Sequence, residues 1–169
     1  MFRWIRLLTG LSLTVLTIIA AAESYTSANI DKNGQLHIRL DTGGEVLAPR
    51  LKYQVSFGWA SVSPDRRTVG WLAEYPFPVA DGDTPSTGSP IAAHLVLYQG
   101  GHTIHDFPTN QVFWDWQFQD GGRRVAYSTG PTHGGAAECV LRDVDSGKIL
   151  ARWLVGSGKA PAWAMGLRQ

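Results

Sequence analysis

Cysteine is nearly missing from this sequence. Cys139 is the only one in 169 residues, so no internal disulfide can staple the fold. It sits in the apolar, strand-like segment AAECVLRDV with no adjacent basic residue to activate a thiol, and is expected to be a small buried hydrophobe. A dominant charge is lacking too: 15 Lys and Arg stand against 14 Asp and Glu, with no Lys/Arg run. That removes the electrostatic footprint of a nucleic-acid binder and of a protein drawn to anionic membranes. No G-x-S-x-G elbow, P-loop or G-x-G-x-x-G falls in a strand–turn–helix context, and Ser128 and Ser157 have no local partner that would activate them. Beyond the first residues, helical periodicity is almost absent.

What is present begins with an address. MFRWIRLLTGLSLTVLTIIAAAESY carries Arg3 and Arg6, then an uncharged run from Leu7 to Ala22 that ends in three alanines. A basic start, a short apolar stretch and small residues before a cut are the layout of a secretory signal, here residues 1–22. The run is shorter than the ~20 residues a comfortable membrane span needs. An uncleaved anchor is the alternative. Export to the periplasm or the exterior is expected, with no membrane attachment after cleavage. Removing Arg3 and Arg6 leaves 13 basic against 14 acidic residues, a balance of −1.

From residue 23 on, short alternating runs recur between Gly, Pro, Asp and Asn, which predicts an all-β protein. Turns are expected at Asp41–Gly44, Ser63–Arg66, Gln99–Gly101, Asp120–Gly122 and Asp145–Gly147. The chain also repeats. An offset of 56 lays Phe57 on Phe113, Val62 on Phe118, Arg67 on Arg123, Val69 on Val125 and Trp71 on Tyr127. The organisation is half a unit (residues 25–50), two units of four strands each, a-b-c-d (53–108 and 111–155), and a tail (156–169).

SVSPDRRTVGW and QFQDGGRRVAY resemble the hydrophobic-S-P-D-G-K core of TolB-type (PD40) β-propeller repeats, and CVLRDVDSGKILARW is similar to the outer hairpin of WD40-type blades. Two departures stand out: Arg66 replaces the motif's glycine, and Gln119-Asp120 replaces Ser-Pro. The resemblance implies a blade fold and no activity, because such repeats serve many functions. Closed propellers take about 4–8 blades. The expected fold is therefore a partial β-propeller-like arrangement of two four-stranded antiparallel sheets plus an extra N-terminal hairpin. A self-contained monomer is favoured over chains that complete a ring.

Candidate chemistry is sparse. Strand alternation puts Trp114, Trp116 and Phe118 on one face, with Phe113, Asp115 and Gln117 on the other. Their counterparts Gly58, Ala60 and Val62 are small, so the two tryptophans are expected to pack over Gly58 and Ala60 rather than form a sugar or peptide platform. Asp115, on the polar side, remains a candidate binding residue. His102 and His105 lie three apart and face opposite sides of a strand, so no metal site is expected from them; the alternative is that one of them joins His94 or His133 in space. Glu74, Glu138, Asp106 and Asp115 could be paired as acid and base only by invention. The two loops between strands b and c, 75–92 and 128–137, should emerge on one rim, where Tyr75, Phe77 and His133 are the binding candidates. In the tail, Trp163 and Met165 are expected to dock over an open sheet edge.

The resulting expectation is an exported, non-catalytic binding or interaction module, with no cofactor, that takes a protein or a small polar ligand. The alternatives are a small secreted glycan- or metal-dependent hydrolase using the loop rim, and a structural subunit that self-associates into a propeller.

Overall fold

The structure is a computed structural model that describes residues 23–76, 89–132 and 135–167. Residues 1–22, most of the first b–c loop with Phe77, and His133 in the second lie outside the described residues. Every sheet among the described residues is antiparallel. β1 (Tyr25–Ile30), β2 (Leu36–Leu40) and β3 (Glu45–Leu47) form an N-terminal sheet in that order. β4 (Ser56–Val62), β5 (Val69–Tyr75), β6 (Ile91–Gln99) and β7 (His102–Pro108) form a central sheet. β8 (Val112–Gln119), β9 (Arg124–Gly130), β10 (Glu138–Asp143) and β11 (Ile149–Leu154) form a C-terminal one.

The chain is all-β, and each expected turn separates two paired strands. The expected N-terminal hairpin is β2–β3, and β1 extends it to three strands. YTSANI has little strand signal of its own. Tyr25 anchors it: its ring is fully buried, and its hydroxyl accepts from the Gly101 N–H (3.3 Å) in the β6–β7 turn.

The 56-residue offset holds in the hydrogen-bond register. Phe57 pairs with Ala73, Ala60 with Trp71 and Val62 with Val69. Phe113 pairs with Thr129, Trp116 with Tyr127 and Phe118 with Val125. A β-bulge interrupts both ladders at the same place, between Phe57 and Ala60 and between Phe113 and Asp115. The bulge shifts the alternation by one residue. It therefore corrects the expected faces: Phe113, not Trp114, joins Trp116 and Phe118 on the core side.

The sheets stack in chain order. One side of the central sheet (Val69, Trp71, Val96) packs on Tyr25, Leu36 and Ile38 of the N-terminal sheet. The other side (Leu72, Leu95, Leu97, Phe107) packs on Phe113, Trp116, Val125 and Val140. This is why β5 is buried continuously from Val69 to Ala73 instead of alternating. Trp116 is fully buried against Gly70, where a β-carbon would fall 2.6 Å from its ring. Trp114 lies over Gly130, and Gly58 leaves room for Leu72 and Glu74. Neither tryptophan therefore packs over Gly58 as expected. At matching positions the first unit holds Gly58 with Glu74 and the second Trp114 with Gly130, so large and small residues are exchanged within each hairpin.

The tail docks, but on a face rather than an edge. Ala164 and Leu167 bury against Ala126, Cys139 and Leu141 on the outer side of the C-terminal sheet, while Met165 stays exposed.

Candidate functional site

Of the sequence candidates, Tyr75 and Asp115 are described, and they stand on different sheets. Tyr75 ends β5, its ring 4.8 Å from the His94 ring. His94 Nδ1 is 2.6 Å from Asp106 Oδ1. Burial, reinforced by the Asp106 charge, pushes the Tyr75 phenol above its usual pKa. Asp115 turns back to accept from the Trp116 backbone N–H (2.8 Å) at the bulge, so one of its oxygens helps to shape the strand. The four carboxylates considered as acid–base partners are held apart: Glu74 by Ser56, Asp106 by His94, Asp115 at the bulge, and Glu138 by Arg152.

The histidines are likewise dispersed. His102 contacts the Gly100 carbonyl, and His105 donates through Nε2 to the Asp145 carbonyl (3.1 Å) while stacking on Phe107. Among the described residues, no three His, Cys, Asp or Glu converge on a metal position. Cys139 is buried, and desolvation raises its thiol pKa, which leaves it a packing residue.

Sequence reasoning passed over His37 and two arginines of the C-terminal sheet, Arg142 and Arg152. His37 lies on the outer, polar face of the N-terminal sheet, 2.6 Å from Glu45 through Nδ1 and 3.2 Å from Asp31 through Nε2. The carboxylates take opposite ring nitrogens, so both bonds require the imidazolium, and its pKa is raised, first by Glu45 and then by Asp31. Asp31 also accepts from the Gln35 and Asn33 backbone N–H groups, and these bonds, led by Gln35, lower its own pKa.

A hollow of about 250 Å³ opens around His37, and a smaller, more enclosed cleft of about 210 Å³ lies where the link from β7 to β8 crosses the C-terminal sheet. The exposed lining of the cleft is mainly polar; beneath it Phe113, set edge-on to Tyr127 at 5.2 Å, and Val140 are almost fully covered. Its rim is polar, with Asn110, Thr129, Glu138, Arg142 and Arg152. Strand alternation assembles it: Glu138, Val140 and Arg142 share one face of β10, and Arg152 stands opposite Val140 on β11.

Arg142 is held from three sides. Its Nε donates to the Tyr127 hydroxyl (2.9 Å), its Nη1 donates to the Gly147 carbonyl (2.7 Å), and its guanidinium lies 4.3 Å over the Phe107 ring. Arg152 instead donates to Glu138 (2.6 Å), with both side chains well exposed, and that bond raises its pKa. The signal in the sequence was a pair of charges, Glu138 and Arg142, flanking an apolar residue on one strand face. Nothing in the local pattern said that the β7–β8 link would wall that face.

Comparison with family models and with curated proteins finds no match to this chain.

Proposed function

We propose that this protein is an exported, non-catalytic binding module whose ligand site is the cleft between the central and C-terminal sheets. The observation that carries the reading is Arg142. A guanidinium fixed by a phenol, a carbonyl and an aromatic face keeps its charge at one place on the wall of a polar cleft, which is how a recognition group is pre-organised. The cleft holds one carboxylate, Glu138, where glycoside hydrolysis uses a pair, and this favours binding over turnover. Export rests on Arg3, Arg6 and the apolar run that follows them.

The stacked sheets and their common register support a short run of propeller-type blades. Ring completion by other chains would call for apolar outer faces. The outer face of the N-terminal sheet instead carries Asp31, His37, Arg39 and Glu45, and residues 162–167 cover that of the C-terminal sheet. Both features favour a monomer.

The test is amide chemical-shift mapping of the full chain against neutral, acidic and basic monosaccharides and dipeptides. At least one class should perturb Asn110, Thr129 and Glu138 together, with no turnover of the probe. Silence at those three amides across the whole panel, or conversion of any probe, refutes the reading.

A further inference from the structure

We infer that the cleft recognises a carboxylate, and that Glu138 is an internal stand-in which the ligand's carboxylate displaces from Arg152. This rests on the reading of the cleft as the ligand site. The two arginines there are not equivalent. Arg142 has its Nε and Nη1 committed to Tyr127 and Gly147, so its charge is a fixture of the wall. Arg152 donates to Glu138, and both partners are open to solvent, with side chains 51% and 37% exposed. An exposed pair of this kind stabilises a protein by only about 0–1 kcal/mol. Exchange of one carboxylate for another at Arg152 is therefore cheap, and the fixed Arg142 charge favours the incoming anion.

The lining of two arginines and one glutamate is net positive, and one bound carboxylate brings it to balance. About 210 Å³ suits a group of one sugar ring or one amino-acid residue. The largely polar lining, with Asn110 and Thr129 beside the charged residues, suits a polar group. Two sources present that chemistry: a uronic-acid sugar and the α-carboxylate of a peptide end.

The experiment titrates the full chain at low salt with glucuronate, glucose, N-acetylalanine and N-acetylalanine amide, following the Thr129, Glu138 and Arg152 amides. The acids should shift these amides and their neutral partners should not, and the tighter acid identifies the source. Glu138→Gln removes the competitor and should tighten acid binding about two- to fivefold, the span of a surface ion pair. Arg152→Gln should loosen it about tenfold, the lower bound for a charge-assisted hydrogen bond. Looser binding by Glu138→Gln overturns the inference, because Glu138 would then be touching the ligand. Equal binding of acid and neutral probes, or shifts from the neutral ones alone, overturns the carboxylate assignment while leaving the cleft as the ligand site. Absence of any shift with all four probes also overturns it, and the broader panel above then decides whether the cleft binds at all.

Discussion

Positions 66 and 122 are equivalents in the repeat, yet only 122 holds glycine. Both have left-handed backbones, Arg66 at φ 61° and Gly122 at φ 106°. Gly122 is also where the β8–β9 turn meets the β4–β5 turn: a β-carbon there would lie 2.6 Å from Asp65 Oδ1. Asp65 is not free to retreat, since the same oxygen accepts from the Ser63 hydroxyl (2.6 Å) and the Arg67 N–H (3.2 Å). Gly122→Ala therefore adds backbone strain of roughly 1–2 kcal/mol to an overpacking cost of roughly 1–3 kcal/mol. At about 2–4 °C per kcal/mol for a chain of this size, a loss near 3 kcal/mol lowers the melting temperature by about 6–12 °C. Arg66→Gly is the opposite case. It relieves roughly 1–2 kcal/mol of left-handed strain and costs about 0.5–1 kcal/mol in added freedom of the unfolded chain, so stability should hold or rise slightly. Thermal melts followed by circular dichroism compare the two directly. A Gly122→Ala chain that melts within a degree of the parent, or an Arg66→Gly chain that falls as far as it, refutes the reasoning.

Trp116→Ala should cost about 3–5 kcal/mol in urea unfolding, as expected for a fully buried large side chain. Trp114→Ala, at a half-buried position over Gly130, should cost clearly less; equal losses would mean that the bulge does not divide the two faces. The raised pKa of His37 means that its contribution is fully present below about pH 6.5, the ordinary value, and is lost as pH rises through the higher folded value. Protection factors of the Val46 and Leu47 amides should fall over that upward range, and a His37→Gln chain should show no such step.

The fold was legible where two signals agreed. Alternation with Gly- and Asp-rich turns located the strands of both full units, and the offset of 56 carries the pairing of Val62 with Val69 onto that of Phe118 with Val125. The bulge was not legible, because it requires an extra residue in one strand and leaves no composition mark in FGWA or FWDW. Missing it placed Trp114 and Trp116 on one side, when backbone geometry separates them. β1 was hidden for another reason: Tyr25 supplies most of its burial, and the partner groups, Gly101 and Glu23, are remote in sequence or outside the strand.

The candidate site was less legible than the fold because it arises between sheets. Arg142 looks like an ordinary solvent-facing residue of β10 until Phe107 of β7 arrives over its guanidinium and Gly147 turns back to meet it. The Phe107 contact depends on stacking the central sheet on the C-terminal one, which no local pattern encodes. The same dependence gives the proposed binding a structural consequence. The β7–β8 link forms one wall of the cleft, and β10 with β11 forms the other. A ligand held by Arg142 and Arg152 therefore ties the link to the outer strands of the last sheet. Binding should raise amide protection at Thr109 and Asn110 as well as in β11; protection confined to β11 would place the ligand outside the cleft.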